Sequence, residues 1–218
     1  MTNLLLVRHG ETIWHAENRY AGVSDVPLTA RGHAQAGRLA SWAASTHLSV
    51  VWTSTLRRAQ LTAKPCAEAA NVPLVIDPRL RELDFGGGEG LTRAEMRGRF
   101  PDALDAFGSD PVAHHLPGGE NPVVAAQRFT DCLYDITSRH PHGRVLVVAH
   151  GTVIRLALCH LLGVRLGEYR RVFPVVDNCA VSEIRLCHET FSLLTFNAQI
   201  TPGPGSLTSQ TSLPGVAC

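Results

Sequence analysis

Arg8-His9-Gly10 follows directly on the apolar run Leu4-Leu5-Leu6-Val7, and His150-Gly151 follows directly on Val145-Leu146-Val147-Val148-Ala149. In each case a strand-forming segment delivers a histidine and then a glycine, with a helical pattern beyond. In an open parallel sheet, ligands bind outside the carboxyl ends of the strands. Glycine lets the chain turn sharply there and brings its backbone close to a ligand. Two strands of one sheet would thus gather two imidazoles and the Arg8 guanidinium at one edge, where a phosphate would sit. Alone, Arg-His-Gly is a weak motif, equally met by a surface arginine and a satisfied histidine. The repeated strand-histidine-glycine context is what points to a site.

Two further segments have the same placement. Ser54 to Ala63 follows a strand pattern at Val50–Thr53 and puts Arg58 in the first turn of a helix. A helix dipole disfavours a cation there, and a bound anion would offset this. Its neighbour Arg57 reads as solvated. Arg79 to Leu91 follows a strand pattern at Leu74–Ile76 and is punctuated by Gly86, Gly87, Gly88 and Gly90, as in a loop that crowds a ligand. Glu82, Asp84 and Glu89 are its candidate acids.

These positions need a sheet to carry them. Residues 4–7 and 145–149 read as buried parallel strands, residues 50–53 as a third, and residues 74–76 and 181–186 as two more. Residues 191–196 read as an antiparallel edge. Helical patterns lie between them. Residues 29–45 begin at Thr29 as N-cap, and residues 56–70 carry Pro65, which predicts a kink or break. Residues 91–99 and 102–107 form short helices in an insertion, residues 123–139 follow, and residues 152–162 end at Gly163 as C-cap. Strands alternating with helices predict an α/β fold: a three-layer α/β/α sandwich with a mainly parallel central sheet. Residues 1–198 are expected to form one domain with a helical insertion near 91–120. Residues 199–218, rich in Pro, Gly, Ser and Thr, are expected to be a flexible or extended tail.

Composition removes several function classes. The 218 residues carry a formal net charge of +1 with no basic run, so nucleic-acid or anionic-membrane binding has no electrostatic footprint. The six cysteines form no CxxC pair, which argues against a zinc cluster and for free thiols in a reducing cytoplasm. The apolar stretch at Leu4–Val7 is four residues long and reads as a strand, not a leader or a membrane span.

Taken together, the blocks resemble the histidine phosphatase superfamily, the phosphoglycerate-mutase-like group. Arg8-His9-Gly10-Glu11-Thr12 matches its signature, and Gly22, Asp25, Pro27-Leu28-Thr29 and Gly32 resemble the segment after it. Ser54, Leu56, Arg58-Ala59 and Thr62-Ala63 match a second block, and Leu80, Glu82, Phe85-Gly86 and Glu89-Gly90 a third. Pro117-Gly118-Gly119-Glu120 and His150-Gly151 complete the order. The resemblance spans roughly residues 4 to 186 and is far more specific than any one block.

The resemblance implies a phosphoglycerate-mutase-like fold and a phosphohistidine mechanism. His9 would be the neutral nucleophile, with one ring nitrogen donating to a backbone carbonyl. Arg8, Arg58 and His150 would surround the phosphoryl oxygens, the two arginines each as a bidentate fork. Glu82 would protonate the leaving oxygen and then activate water. Substrate contacts are implied for His15, Ala21, Gly22, Gly151 and Thr152. Trp14-His15 stands where the family often has Trp-Asn: His15 either gives the pocket a titratable donor or turns outward on a short helix. No metal or other cofactor is implied, the partner is a small phosphate ester, and monomer and homodimer stay open. The third block, Glu82-Leu83-Asp84-Phe85-Gly86, is more similar to the small phosphatases than to the cofactor-dependent mutases, whose reading is the alternative. A phosphate-binding module without catalysis is a third reading, disfavoured because all five catalytic positions are filled. Arg93, Arg97, Arg99, His114 and His115 in the insertion read as a solvated face, with contact to a second anionic group as the other option.

Overall fold

The computed structural model describes residues 1–187 and 190–200; the expected tail lies almost wholly outside them. Six strands form one sheet in the order β3-β2-β4-β1-β5-β6. The strands are β1 (Thr2–Arg8), β2 (Leu48–Thr53), β3 (Leu74–Ile76), β4 (Gly143–Ala149), β5 (Val181–Cys187) and β6 (Thr190–Ala198). β1, β4, β2 and β3 run parallel, and β1 pairs with β4 from Thr2↔Gly143 to Arg8↔Ala149. The two strands that carry Arg8-His9 and His150 are therefore neighbours in register.

Alternation along the strands makes three layers. Leu4, Leu6, Val145 and Val147 point to one face, and Leu5, Val7, Leu146 and Val148 to the other. The second face is covered by α2 (Ala30–Ala43) and α3 (Arg57–Ala70). The first is covered by α6 (Pro122–Arg139) and α7 (Gly151–Leu161), together with α4 (Arg93–Arg99) and α5 (Pro101–Ser109) from the insertion. Both strand faces are buried, so β1 and β4 read as unbroken apolar runs rather than alternating ones.

Local signals behave as their chemistry dictates. The Thr29 hydroxyl accepts the Gly32 N–H at 2.9 Å and starts α2. Gly163, at φ +69°, ends α7 by a Schellman arrangement: its N–H reaches His160 O, and the Val164 N–H reaches Cys159 O at 2.9 Å. Two expectations need correction. α3 continues unbroken through Pro65. β5 is antiparallel to β1, not parallel. After α7 the chain returns to the carboxyl edge through the short helix α8 (Tyr169–Val172), where the Cys179 N–H meets Arg8 O at 2.8 Å. β5 thus starts at the edge where β1 ends and must run back along it. β6 is the antiparallel edge strand expected.

Cys66, Cys132, Cys159 and Cys179 are free and buried. Among the described residues, no helix is long and apolar enough to cross a membrane, and no cluster of His, Cys, Asp and Glu is suited to a metal ion.

Candidate active site

His9 leaves the end of β1 and is 4 % exposed. The turn behind it is tight because two glycines meet. A Cβ on Gly10 would lie 2.6 Å from Gly32 O, and one on Gly32 would lie 2.1 Å from Glu11 O. Only hydrogen fits at either position, which sets the first turn of α2 directly against the histidine loop. Asn178 Nδ2 donates to His9 O at 2.7 Å and fixes the loop from the β5 side.

Ring partners assign the tautomers. His9 Nδ1 lies 2.7 Å from Gly10 O and so carries the hydrogen, leaving the lone pair on Nε2. Arg58 Nε, at 3.1 Å, donates to that Nε2. Burial first, then the neighbouring His150, Arg58 and Arg8, drives the His9 pKa well below its ordinary value. The imidazole is therefore neutral at physiological pH, as a nucleophilic histidine must be.

His150, the N-cap of α7, is fully buried, with its ring centre 5.1 Å from that of His9. Its Nε2 lies 2.7 Å from Ser54 Oγ, which also accepts the Leu56 N–H at 3.2 Å. Among the described residues the hydroxyl has no acceptor other than that Nε2, so its hydrogen points there and the ring hydrogen lies on Nδ1. That buried Nδ1 has no protein partner among the described residues, and neither has the buried Nε of Arg8. His150 is also held neutral, by burial and by Arg58 and Arg8.

His15 turns inward and lines the main cavity. It is the N3 residue of α1 (Ile13–Ala16), and its Nδ1 accepts the Thr12 N–H at 2.9 Å, the position a Glu or Gln takes in a capping box. Nε2 then carries the hydrogen and faces Arg8 Nη2. Both residues line the cavity, where an oxyanion can accept from each. Burial, then Arg8 and Arg58, lowers the His15 pKa to about 3.

Glu82 is buried at the N-terminus of α7. Its Oε1 accepts from Leu83 and Val153 N–H and its Oε2 from Thr152 N–H, at 2.9 to 3.0 Å. One lone-pair position, on Oε2, stays open for a proton. The loop carrying Glu82 is clamped by Arg128, which donates to the carbonyls of Arg79, Arg81 and Glu82 and to both oxygens of Glu120. Glu120 belongs to the Pro-Gly-Gly-Glu block, whose role is thus to hold the acid loop.

Arg58 departs from expectation. It is fully buried, and its Nη atoms donate to Ser24 O at 2.7 Å, Gly22 O at 2.6 Å and Ala21 O at 3.3 Å. The expected free fork is engaged with the backbone, and Nε alone is directed at His9. These carbonyls, with Glu82, Glu89 and Asp25 nearby, offset the cation at the start of α3. Glu89 is an organiser rather than an acid: its carboxylate accepts the N–H groups of Gly22, Val23 and Ser24.

The expected substrate contacts divide. His15, Ala21 and Thr152 line a cavity of about 530 Å³ that opens beside His9, Arg8 and Glu82. Gly151 lines a smaller adjoining cavity of about 200 Å³. Gly22 lines neither: its N–H is held by Glu89 and its carbonyl by Arg58. From the insertion, Arg93 reaches the cavity, Arg97 pairs with Asp105, and Arg99, His114 and His115 are exposed.

A family model described as the histidine phosphatase superfamily (branch 1) matches residues 4–199. This chain belongs to the histidine phosphatase superfamily. Among its superfamily relatives, "Phosphoserine phosphatase 1" of Hydrogenobacter thermophilus is 34% identical over 169 residues, covering 78% of this chain and 80% of the relative. A "Probable phosphoglycerate mutase" of an Enterobacter species is 33% identical over 184 residues, covering 84% and 85%. The solved structure of Bacillus stearothermophilus YhfR superimposes with a TM-score of 0.85 at 32% identity, covering 90% of this chain and 97% of that one. The phosphoglycerate-mutase-like α/β/α sandwich is thus the fold of this superfamily member.

Proposed function

We propose that this protein hydrolyses a small phosphomonoester through a phosphohistidine on His9. One observation carries the reading: His9, with its lone pair on Nε2, shares a cavity with Arg8 and lies beside the His150 ring, while the buried Arg8 Nε and His150 Nδ1 have no protein partner among the described residues. Nε2 attacks phosphorus, and the P–O bond to the leaving oxygen breaks. Charge developing on the phosphoryl oxygens meets Arg8, His15 and His150, and Arg58 Nε passes from His9 Nε2 to the nearest of those oxygens as the N–P bond forms. Glu82 gives its proton to the leaving oxygen, then takes one from the water that attacks the phosphohistidine. Inorganic phosphate leaves and His9 is restored.

The protein supplies this charge itself, so the reaction should proceed in EDTA. The test is release of phosphate from p-nitrophenyl phosphate under chelation, with His9→Ala as control. Loss of activity under chelation, or wild-type turnover by the variant, overturns the mechanism. Mutase chemistry is the second reading, supported by the mutase-named relative. It wins if 2,3-bisphosphoglycerate primes isomerisation of 3-phosphoglycerate faster than phosphate is released. Residues 1–198 are read as one domain whose insertion brings Thr92 and Arg93 to the cavity. The buried free thiols support a cytoplasmic assignment.

A further inference from the structure

The main cavity carries more positive charge than one phosphoryl group requires. Beyond Arg8, the residues lining it include Arg19, Arg93, Arg155 and Arg170, against a single carboxylate, Glu82. Three of these four are accounted for. Arg19 is neutralised by Glu17 and Glu95, each at 2.6 Å. Arg170 is engaged in packing: it donates to the Tyr169 hydroxyl and to Phe107 O and lies 4.4 Å from the Phe107 ring centre. Arg93 is solvent-exposed, where an ion pair with a ligand is screened and worth little.

Arg155 differs. It is half-buried on α7 and borders both cavities. Its Nε donates to Gly151 O at 3.1 Å, and its guanidinium lies 4.9 Å from the Tyr169 ring centre. These two contacts fix the plane of the group. Among the described residues it forms no ion pair, and its Nη atoms have no hydrogen-bond partner. An arginine held in plane with its terminal edge unpaired presents a fork that matches a carboxylate or phosphate.

We infer that Arg155 determines specificity by binding a second anionic group of the substrate, a carboxylate or a further phosphate. This rests on the phosphatase reading. Gly151 packs against Arg8, with a Cβ there 3.3 Å from Arg8 Nε, and Arg155 follows four residues later on the same helix. The Nε bond to Gly151 O turns the Arg155 guanidinium back toward that residue, so Arg8 and Arg155 border the same cavities. The substrate class is therefore a phosphomonoester that carries a second anionic group.

Two matched pairs test this. 3-Phosphoglycerate and glycerol 3-phosphate differ by a carboxylate, and fructose 1,6-bisphosphate and fructose 6-phosphate differ by a phosphate. Phosphate release is followed for the wild type, Arg155→Met and Arg155→Lys. The wild type should prefer the doubly charged member of one pair by about tenfold to a hundredfold in kcat/KM, and the pair that shows it identifies the anion. Arg155→Met should erase that ratio, mainly through KM, and Arg155→Lys should restore part of it. If Arg155→Met does not fold, Arg155→Lys carries the test, since it keeps the charge and loses the fork. Absence of preference in both pairs, or an equal loss on both members in the variants, overturns the inference. A wild-type protein that hydrolyses none of the four esters and forms no phosphohistidine fails the phosphatase reading instead, a separate result.

Discussion

Ser54→Ala is the sharpest probe of how the site holds its donors. Ser54 Oγ is buried 2.7 Å from His150 Nε2 and also receives the Leu56 N–H. Removing it leaves one buried imidazole nitrogen and one backbone N–H without a partner. An unsatisfied buried polar group costs about 1–3 kcal/mol, so the unfolding free energy should fall by about that amount. The catalytic effect is larger. Without the hydroxyl the ring hydrogen is free to sit on Nε2, which turns a lone pair on Nδ1 toward the phosphoryl oxygens in place of a donor. Loss of one preorganised donor to a developing oxyanion lowers kcat by about 10²–10³. Rapid-quench measurement of phosphohistidine formation gives the rate of the step, and ¹⁵N chemical shifts of the His150 ring give the tautomer. A variant that phosphorylates within threefold of the wild type while His150 still carries hydrogen on Nδ1 would show that Ser54 does not set the donor.

Glu82→Gln should slow hydrolysis of glycerol 3-phosphate by about 10²–10⁴ and p-nitrophenyl phosphate much less, because nitrophenolate leaves without a proton; equal losses on the two would remove Glu82 from the acid role. Gly22→Ala places a Cβ 2.1 Å from Glu89 Oε1 and 2.4 Å from Leu83 O. It should destabilise the fold by about 1–3 kcal/mol and lower kcat by shifting the carbonyls that hold Arg58; wild-type urea midpoint and turnover would contradict the packing. His9 and His150 have pKa values lowered by burial, so they take up protons when unfolded, near pH 6.5, but not when folded. The stability they contribute is complete above that pH and lost as pH falls through it. From pH 7.5 to 5.5 the loss is about 1.4 kcal/mol for each, about 3 kcal/mol together. Urea unfolding at the two pH values measures it, and a His9→Ala/His150→Ala variant with the same loss would refute the assignment.

Much of the architecture was legible because single residue types encode it. β-branched and leucine runs mark β1, β3 and β4, the Thr29 hydroxyl marks the start of α2, and Gly163 marks the end of α7. The direction of β5 was not legible. It depends on where the chain re-emerges after α7, and the four-residue helix on that path, α8, is too short to show a period. Pro65 predicts interruption, yet α3 continues through it. In the site, His9 and His150 were legible because strand, histidine and glycine recur together. The occupation of Arg58 was not, since its partners are carbonyls of Ala21, Gly22 and Ser24, and a carbonyl has no sequence signature. Arg128 escaped for the same reason, although Glu120 in the Pro-Gly-Gly-Glu block was a trace of it. Asn178, Ser54 and Arg155 act through contacts across the sheet edge or back onto a turn, which spacing alone does not reveal.

The pairing of β1 with β4 has a consequence for the chain as it is synthesised. His9 is made well before its neighbours on the sheet, Ala149 and His150, and Val176 and Asn178, which hold Arg8 and the His9 carbonyl, arrive later still. No early fragment can present a phosphate-binding nucleophile. Bond-making power appears only with global folding, so a phosphate analogue that binds the site should favour the whole folded chain over every partial one, by RT ln(1 + [L]/Kd). A nascent chain on the ribosome is therefore silent toward phosphate esters until β4 and the segment at Val176 and Asn178 dock.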